Sequence, residues 1–289
     1  MTLDFPLASD HEIKSVEQMR STLGRLLTAS PISDFPEMVS DIYLLRLLRG
    51  RQNDVNEAIK LFHAHLAIRE EFGMNEIRQT LKGRPAYYTQ HDITHGVEVS
   101  QFYRIHVNAG STPRWGHPVA FSVPAQHNTR ALFQEVGIQK FNRYVIEEML
   151  RRQMQLDQLS RQYKRLIKVI LIPNALDVTV WNLTHTEMRE NQKNVLKRIQ
   201  ETIPELMGRV YGIHVSWLTR NFYHTVLKWM LPKATRKKIF LLGSNYRDIL
   251  INELDTKTLA VLIQSTKGGS GSGGGESGGG GESGDMSIK

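Results

Sequence analysis

Three consecutive cations, Arg236, Lys237 and Lys238, stand directly before a short apolar run, Ile239–Leu242, and shortly after a stretch of large apolar side chains, Trp217–Leu231. A compact positive cluster attracts phosphate or carboxylate groups. In the apolar stretch Trp217, Leu218, Phe222, Val226, Leu227, Met230 and Leu231 gather at helical spacing, with Tyr223 and Trp229 widening the stripe beyond one face. Such a helix must be covered by core, by lipid, or by each in turn. Grease and phosphate-seeking charge are therefore neighbours. Other reactive chemistry is poorly supplied: the chain has no cysteine nucleophile and no G-x-S-x-G elbow between a strand and a helix. His91-Asp-Ile-Thr-His95 copies the histidine spacing of a zinc-protease helix, but Asp92 replaces the glutamate base and no helical period surrounds it, so no metal is expected. His63 and His65, two apart, cannot share a helix face and read as surface or packing residues.

The elements that position these residues follow from periodicity. Ile13, Val16, Met19, Leu23, Leu26 and Leu27 predict a first helix over 12–28; Pro36 opens a second that runs to Gly50; Asn53 or Asp54 caps a third that ends at Gly73. Pro85, Gly96, Gly110 and Pro113 break the pattern over 82–115 into an irregular connection with one short strand or helix, after which the first sheet strand is expected at Val119–Val123. A long amphipathic helix is predicted over 140–163. The apolar run Leu166–Val180 reads as a strand covered on both faces, with Pro173 marking a bulge or an edge. A helix over 186–202 and a strand over 208–215 lead to the Trp217 stretch. Strands alternating with helices imply a mainly parallel sheet with helices packed on it, so the fold class is α/β, preceded by a small helical domain. The expected divisions are 1–80, 81–265 and a Gly/Ser/Glu tail, 266–289, too polar to order itself.

Composition narrows the partners. The apolar fraction of 40% is enough for a sizeable core, and 37 Lys+Arg against 29 Asp+Glu give a net charge of +8. That excess suits anionic membranes, phosphoinositides or nucleic acid, and charge alone does not choose among them. The absence of cysteine excludes disulfides and prenyl or palmitoyl anchors, Thr2 is not the glycine that myristoylation needs, and the opening residues lack a secretion signal. Apolar runs such as Val169–Ile172 fall far short of the roughly 20 residues that span a bilayer. Membrane contact is expected to be peripheral.

Two separated segments resemble a known family. Pro204–Tyr211, PE-x-MG-x-x-Y, followed by the Trp-containing stretch and by LP-x-x-T-x-x-KIF-x-LGSNY, is similar to the carboxy-terminal signature of the CRAL-TRIO lipid-binding domain, in its phosphatidylinositol-transfer branch. Upstream, LLRLLRGRQNDV over Leu44–Val55 resembles the helical domain that precedes it, and Gln101-Phe102-Tyr103 resembles the family's aromatic segment. The resemblance implies a hydrophobic pocket that holds a phospholipid, most of all phosphatidylinositol, for transfer between membranes or presentation. The Trp217–Leu231 helix would be its mobile gate, with Tyr103 among the pocket residues. It further implies that Lys238 pairs with the inositol phosphate, that Thr235 lies nearby, that Glu205 accepts from inositol hydroxyls, and that Arg51 is the motif arginine of the helical domain. Gln52 stands where phosphoinositide-binding members carry lysine. At the family's phosphatidylcholine site, Ile172, Asn174 and Ala120 replace the polar residues, so choline binding is expected to be weak or absent. A cytoplasmic monomer, peripherally attached to anionic membranes, without catalysis, cofactor or nucleic-acid partner, is the resulting expectation. A pocket for a tocopherol, retinoid or sterol, and a regulatory scaffold, stay open; a dinucleotide enzyme is disfavoured because no G-x-G-x-x-G follows the first strand.

Overall fold

The computed structural model describes residues 3–178, 186–222, 236–243 and 245–267. Val226, Leu227, Met230 and Thr235 lie outside the described residues, as do the side chains of Leu218 and Phe222 and the tail from 268. The first helix, α1 (Asp10–Leu23), starts at a reciprocal cap in which Ser9 Oγ accepts from Glu12 N and Glu12 accepts from Ser9 N. It ends earlier than its apolar spacing predicts. Gly24, at φ 34°, turns the chain into a separate helical turn, and Ile13 and Leu26 face solvent. The second predicted helix also divides: after one turn, Pro36–Val39, Ser40 leaves helical geometry and caps α2 (Asp41–Gly50) by accepting from Tyr43 N. Asp54 caps α3 (Val55–Glu71), and Gly73, at φ 59°, leads into α4 (Met74–Thr80). Met19, Leu23, Leu44, Leu47, Leu48 and Phe62 close the core between these helices.

The five-stranded sheet runs in the order β1 (Ile105–Ser111), β2 (Pro118–Ser122), β3 (Val169–Pro173), β4 (Met207–Gly212), β5 (Ile239–Leu241). β1 is antiparallel to β2; the other three pairings are parallel. The sheet therefore starts one strand earlier than Val119, inside the stretch read as an irregular connection. Its hydrophobic alternation is hidden by a bulge between His106 and Gly110. Gly110 is a close approach: a Cβ there would lie 1.6 Å from Thr258 Oγ1, on the helix Thr256–Lys267. Pro173 marks neither a bulge nor an edge; it is the last residue of the central strand, and its carbonyl accepts from Ile213 N. The two histidines of the zinc-like spacing share no helix, since His91 lies in a 3-10 turn and His95, at φ 64°, precedes the next helix.

The long helix α5 (Ile138–Tyr163) crosses from β2 to β3, and α6 (Lys197–Thr202), α7 (Trp217–Phe222) and α8 (Thr256–Lys267) follow. One sheet face, through Val119, Phe121, Ile170, Ile172, Tyr211 and Ile213, packs against Tyr246, Leu250, Leu254 and Leu262. The other carries one apolar row across four strands, Ala120, Leu171, Val210 and Ile239, of which the last three are only half-buried. The amino-terminal helices dock on α5 through Ser40 Oγ, which donates to Asp157 Oδ1 at 2.6 Å. Side chains are also exchanged: Leu166 sits in the helical core and Leu3 in the sheet's core. Among the described residues no helix is long and apolar enough to cross a membrane.

Candidate functional site

Residues at the starts of three parallel strands converge on one carboxylate. Lys168 directly precedes β3, Glu205 stands two residues before β4, and Lys238 directly precedes β5. Lys238 Nζ lies 3.0 Å from Glu205 Oε1 and also donates to Met207 O at 3.2 Å, while Lys168 Nζ binds Glu205 Oε2. Burial opposes ionisation of Glu205, but the two ammonium groups outweigh it and hold the carboxyl at about 2. Burial lowers Lys168 to about 8, partly offset by Glu205. Each oxygen of the carboxylate thus has its own cation, so Glu205 is ionised across the physiological range.

The backbone of this site is braced from the helical domain. Glu205 adopts a left-handed conformation, φ 63°, unusual for a residue with a side chain. Its carbonyl is held by Arg46 Nη1 at 2.6 Å, while Arg46 Nη2 donates to Ile167 O at 2.6 Å and to Ser160 Oγ at 3.3 Å. One buried guanidinium therefore ties α2 to the lead-ins of both β3 and β4. Behind Lys168, the Phe5 ring lies 4.5 Å from Nζ, and Phe5 packs on His117 with ring centres 5.3 Å apart. His117 accepts from Lys168 N at Nδ1 and donates from Nε2 to Leu3 O, which makes it a neutral, fully used imidazole; burial lowers it to about 4.

The structure brings Lys238 and Glu205 together, and Thr235 lies outside the described residues. Arg51 sits on the exposed turn after α2, whose Gly50 packs tightly on Pro204: a Cβ there would lie 2.6 Å from the proline Cβ. The arginine of that motif that touches the Glu205 loop is Arg46, not Arg51. Sequence reasoning passed over Arg46 and Lys168. Each is a single charge inside an apolar run, LLRLL and LIKVILI, and a charge so placed needs a buried partner. That signal was there to be read.

The remaining residues expected in a pocket lie elsewhere. Tyr103 is half-buried against His127, 4.1 Å between ring centres, and Phe141, in a cluster with Tyr144, Met188 and Leu196; burial raises its phenol. Trp217 opens α7 at the opposite, carboxyl end of the parallel strands and is 76% exposed. The helix is held there by Arg220 Nη2, which donates to Leu241 O at 3.2 Å. At the positions expected to disfavour choline, Ile172 is fully buried and Asn174 Oδ1 accepts from Leu176 N.

Comparison with known proteins agrees with this architecture. A family model described as the CRAL/TRIO domain matches residues 111–262, more than half of the chain. The CRAL-TRIO domain-containing protein YKL091C of Saccharomyces cerevisiae is 25% identical over 230 residues, covering 79% of this chain and 71% of that one. The phosphatidylinositol/phosphatidylcholine transfer protein SFH7 of Arabidopsis thaliana is 25% identical over 236 residues, covering 78% of this chain but only 39% of that longer protein. The crystal structure of Sfh5 superposes with a TM-score of 0.58 at 16% identity, over 90% of this chain and 99% of that one.

Proposed function

The chain belongs to the CRAL/TRIO family, and from that premise we propose that it binds phosphatidylinositol and transfers or presents it between membranes, with no catalytic step. The observation that carries this reading is the pairing of Lys238 with Glu205 at one end of the sheet, whose second face carries the apolar row Ala120, Leu171, Val210 and Ile239. A phosphodiester needs a cation and a ring of hydroxyls needs an acceptor; Lys238 offers the first and the ionised Glu205 the second. The acyl chains need apolar cover. Each methylene lifted from a bilayer costs about 0.8 kcal/mol, so one ordinary chain requires on the order of 10 kcal/mol of matching burial. The half-buried row is a floor for it, and the Trp217 helix is the gate through which the chains pass, with its exposed indole touching the membrane. Arg51, beside the Pro204 turn, and Thr235 complete the head-group side, and Tyr103 belongs to the pocket wall.

In this reading the protein works as a monomer in the cytoplasm, and its excess positive charge draws it to anionic membrane surfaces. The relative named as a phosphatidylinositol/phosphatidylcholine transfer protein supports it. Mass spectrometry of lipid extracted from the purified protein tests it directly. Phosphatidylinositol is the expected species. A tocopherol, retinoid or sterol would instead favour the second reading, for which the row's lack of any polar side-chain atom speaks. An empty extract, with no transfer between vesicles, would leave only a scaffold.

A further inference from the structure

Glu205 has two lysines where one would neutralise it, and the two are not equivalent. The Lys168 side chain is 6% exposed and that of Lys238 22%. Lys168 is enclosed: Phe5 covers its ammonium, its own N–H is fixed on His117, and Gly208 leaves the space it fills, since a Cβ there would lie 3.1 Å from Lys168 Cβ and 3.2 Å from the Phe5 ring. Lys238 leads into β5 beside the exposed Lys237, and its ammonium is fixed to Glu205 and to the Met207 carbonyl. We propose that Lys168 is the permanent counter-ion of Glu205 and that Lys238 is the exchangeable one, released to the ligand's phosphate without stranding the carboxylate. This rests on the phosphatidylinositol reading of the site.

The physical need for such a division is simple. A partly buried carboxylate with a single cation resists giving it up, because the charge left behind is uncompensated and would also face the incoming phosphate. With Lys168 behind it and Arg46 holding its carbonyl, Glu205 is fixed and neutralised before Lys238 moves. Anion capture and carboxylate neutralisation then no longer compete. Each Glu205 oxygen is engaged by one ammonium and keeps acceptor capacity for a hydroxyl, so the ligand that fits is one that presents a phosphate and neighbouring hydroxyls together. Lys168 is in this sense a positioning residue.

The test uses the full chain and vesicles of phosphatidylcholine containing phosphatidylinositol, with uptake of the latter as readout. Lys168→Met leaves Lys238 as the sole partner of Glu205 and is expected to lower uptake about tenfold, the size of one charge-assisted contact. Lys168→Arg should restore most of it. A structural role alone predicts that Lys168→Met lowers thermal stability without changing the affinity of the folded variant for inositol 1-phosphate. Equal uptake by wild type and Lys168→Met, or no rescue by Lys168→Arg, overturns the proposal. A wild type that takes up no phosphatidylinositol at all overturns the functional reading instead. Should Lys168→Met fail to fold, lysine side-chain resonances of the wild type decide: added inositol 1-phosphate should move the Lys238 signal and leave that of Lys168. Movement of both, or of Lys168 alone, ends the idea.

Discussion

The two ends of the parallel strands are built on opposite principles. At the amino end, Lys168, Glu205, Lys238 and Arg46 form a network in which charges are paired and carbonyls are held by side chains from another part of the chain. At the carboxyl end, α7 begins with an indole in solvent, and Arg220 donates to the Leu241 carbonyl of β5. The difference teaches that the amino end is set by paired charge whereas the carboxyl end presents an aromatic side chain to solvent. Under the proposed function, a head-group site needs its charges set beforehand, since reorganising buried ions on binding is costly, and a gate needs an apolar side chain at the surface to meet a membrane.

The comparison can be broken most severely at Arg46. Replacement by Met strips two carbonyls and a hydroxyl of their buried donor and is expected to cost about 3–5 kcal/mol, read as a fall in the urea midpoint. Phosphatidylinositol uptake should fall with it. A loss under 1 kcal/mol would mean that the amino end is not braced through this residue.

Acid attacks the same end. The folded value of His117 is near 4 against an ordinary 6.5, so the unfolded chain takes up a proton first, and stability falls as pH drops from 6.5 towards 4, by up to about 3 kcal/mol. Glu205, at about 2 against an ordinary 4.5, extends the loss below pH 4.5. Urea unfolding at pH 7, 5.5 and 4.5 checks the first part, and His117→Gln should flatten it.

Smaller effects separate function from stability. Lys238→Ala should lower phosphatidylinositol transfer about tenfold while changing thermal stability by less than about 1 kcal/mol, because the pair it breaks is partly solvated and Lys168 remains on the carboxylate. Equal transfer by variant and wild type removes Lys238 from the site. At the opposite end, Trp217→Ala should slow transfer about threefold and leave stability within about 0.5 kcal/mol, since the indole packs against little. A large loss of stability there would show that α7 is as firmly held as the amino end.

Local signals carried much of this architecture. Asp54 and Gly73 mark helix ends by chemistry that acts within four residues, and the structure uses both. The alternation of strands and helices gave the mainly parallel sheet, and the Pro204–Tyr246 signature gave the family. Where the reading failed, short-range pattern was masked. The helix expected over 12–28 stops at Gly24, whose backbone freedom outweighs the apolar spacing beyond it, and β1 stayed undecided between a short strand and a helix because a bulge breaks the alternation that would have distinguished them.

The amino acid order by itself thus fixed most of the elements, the ends of the third helix, the basic excess and the pairing of grease with charge, because these depend on neighbours a few residues apart. Only the tertiary structure decided that Lys168 and Lys238 share one carboxylate and that Arg46, 159 residues from Glu205, holds its backbone. Those contacts arise from strand order and helix docking, which set distances between residues remote in the chain. A lone charge in an apolar run announces that a partner exists; the fold alone says which one.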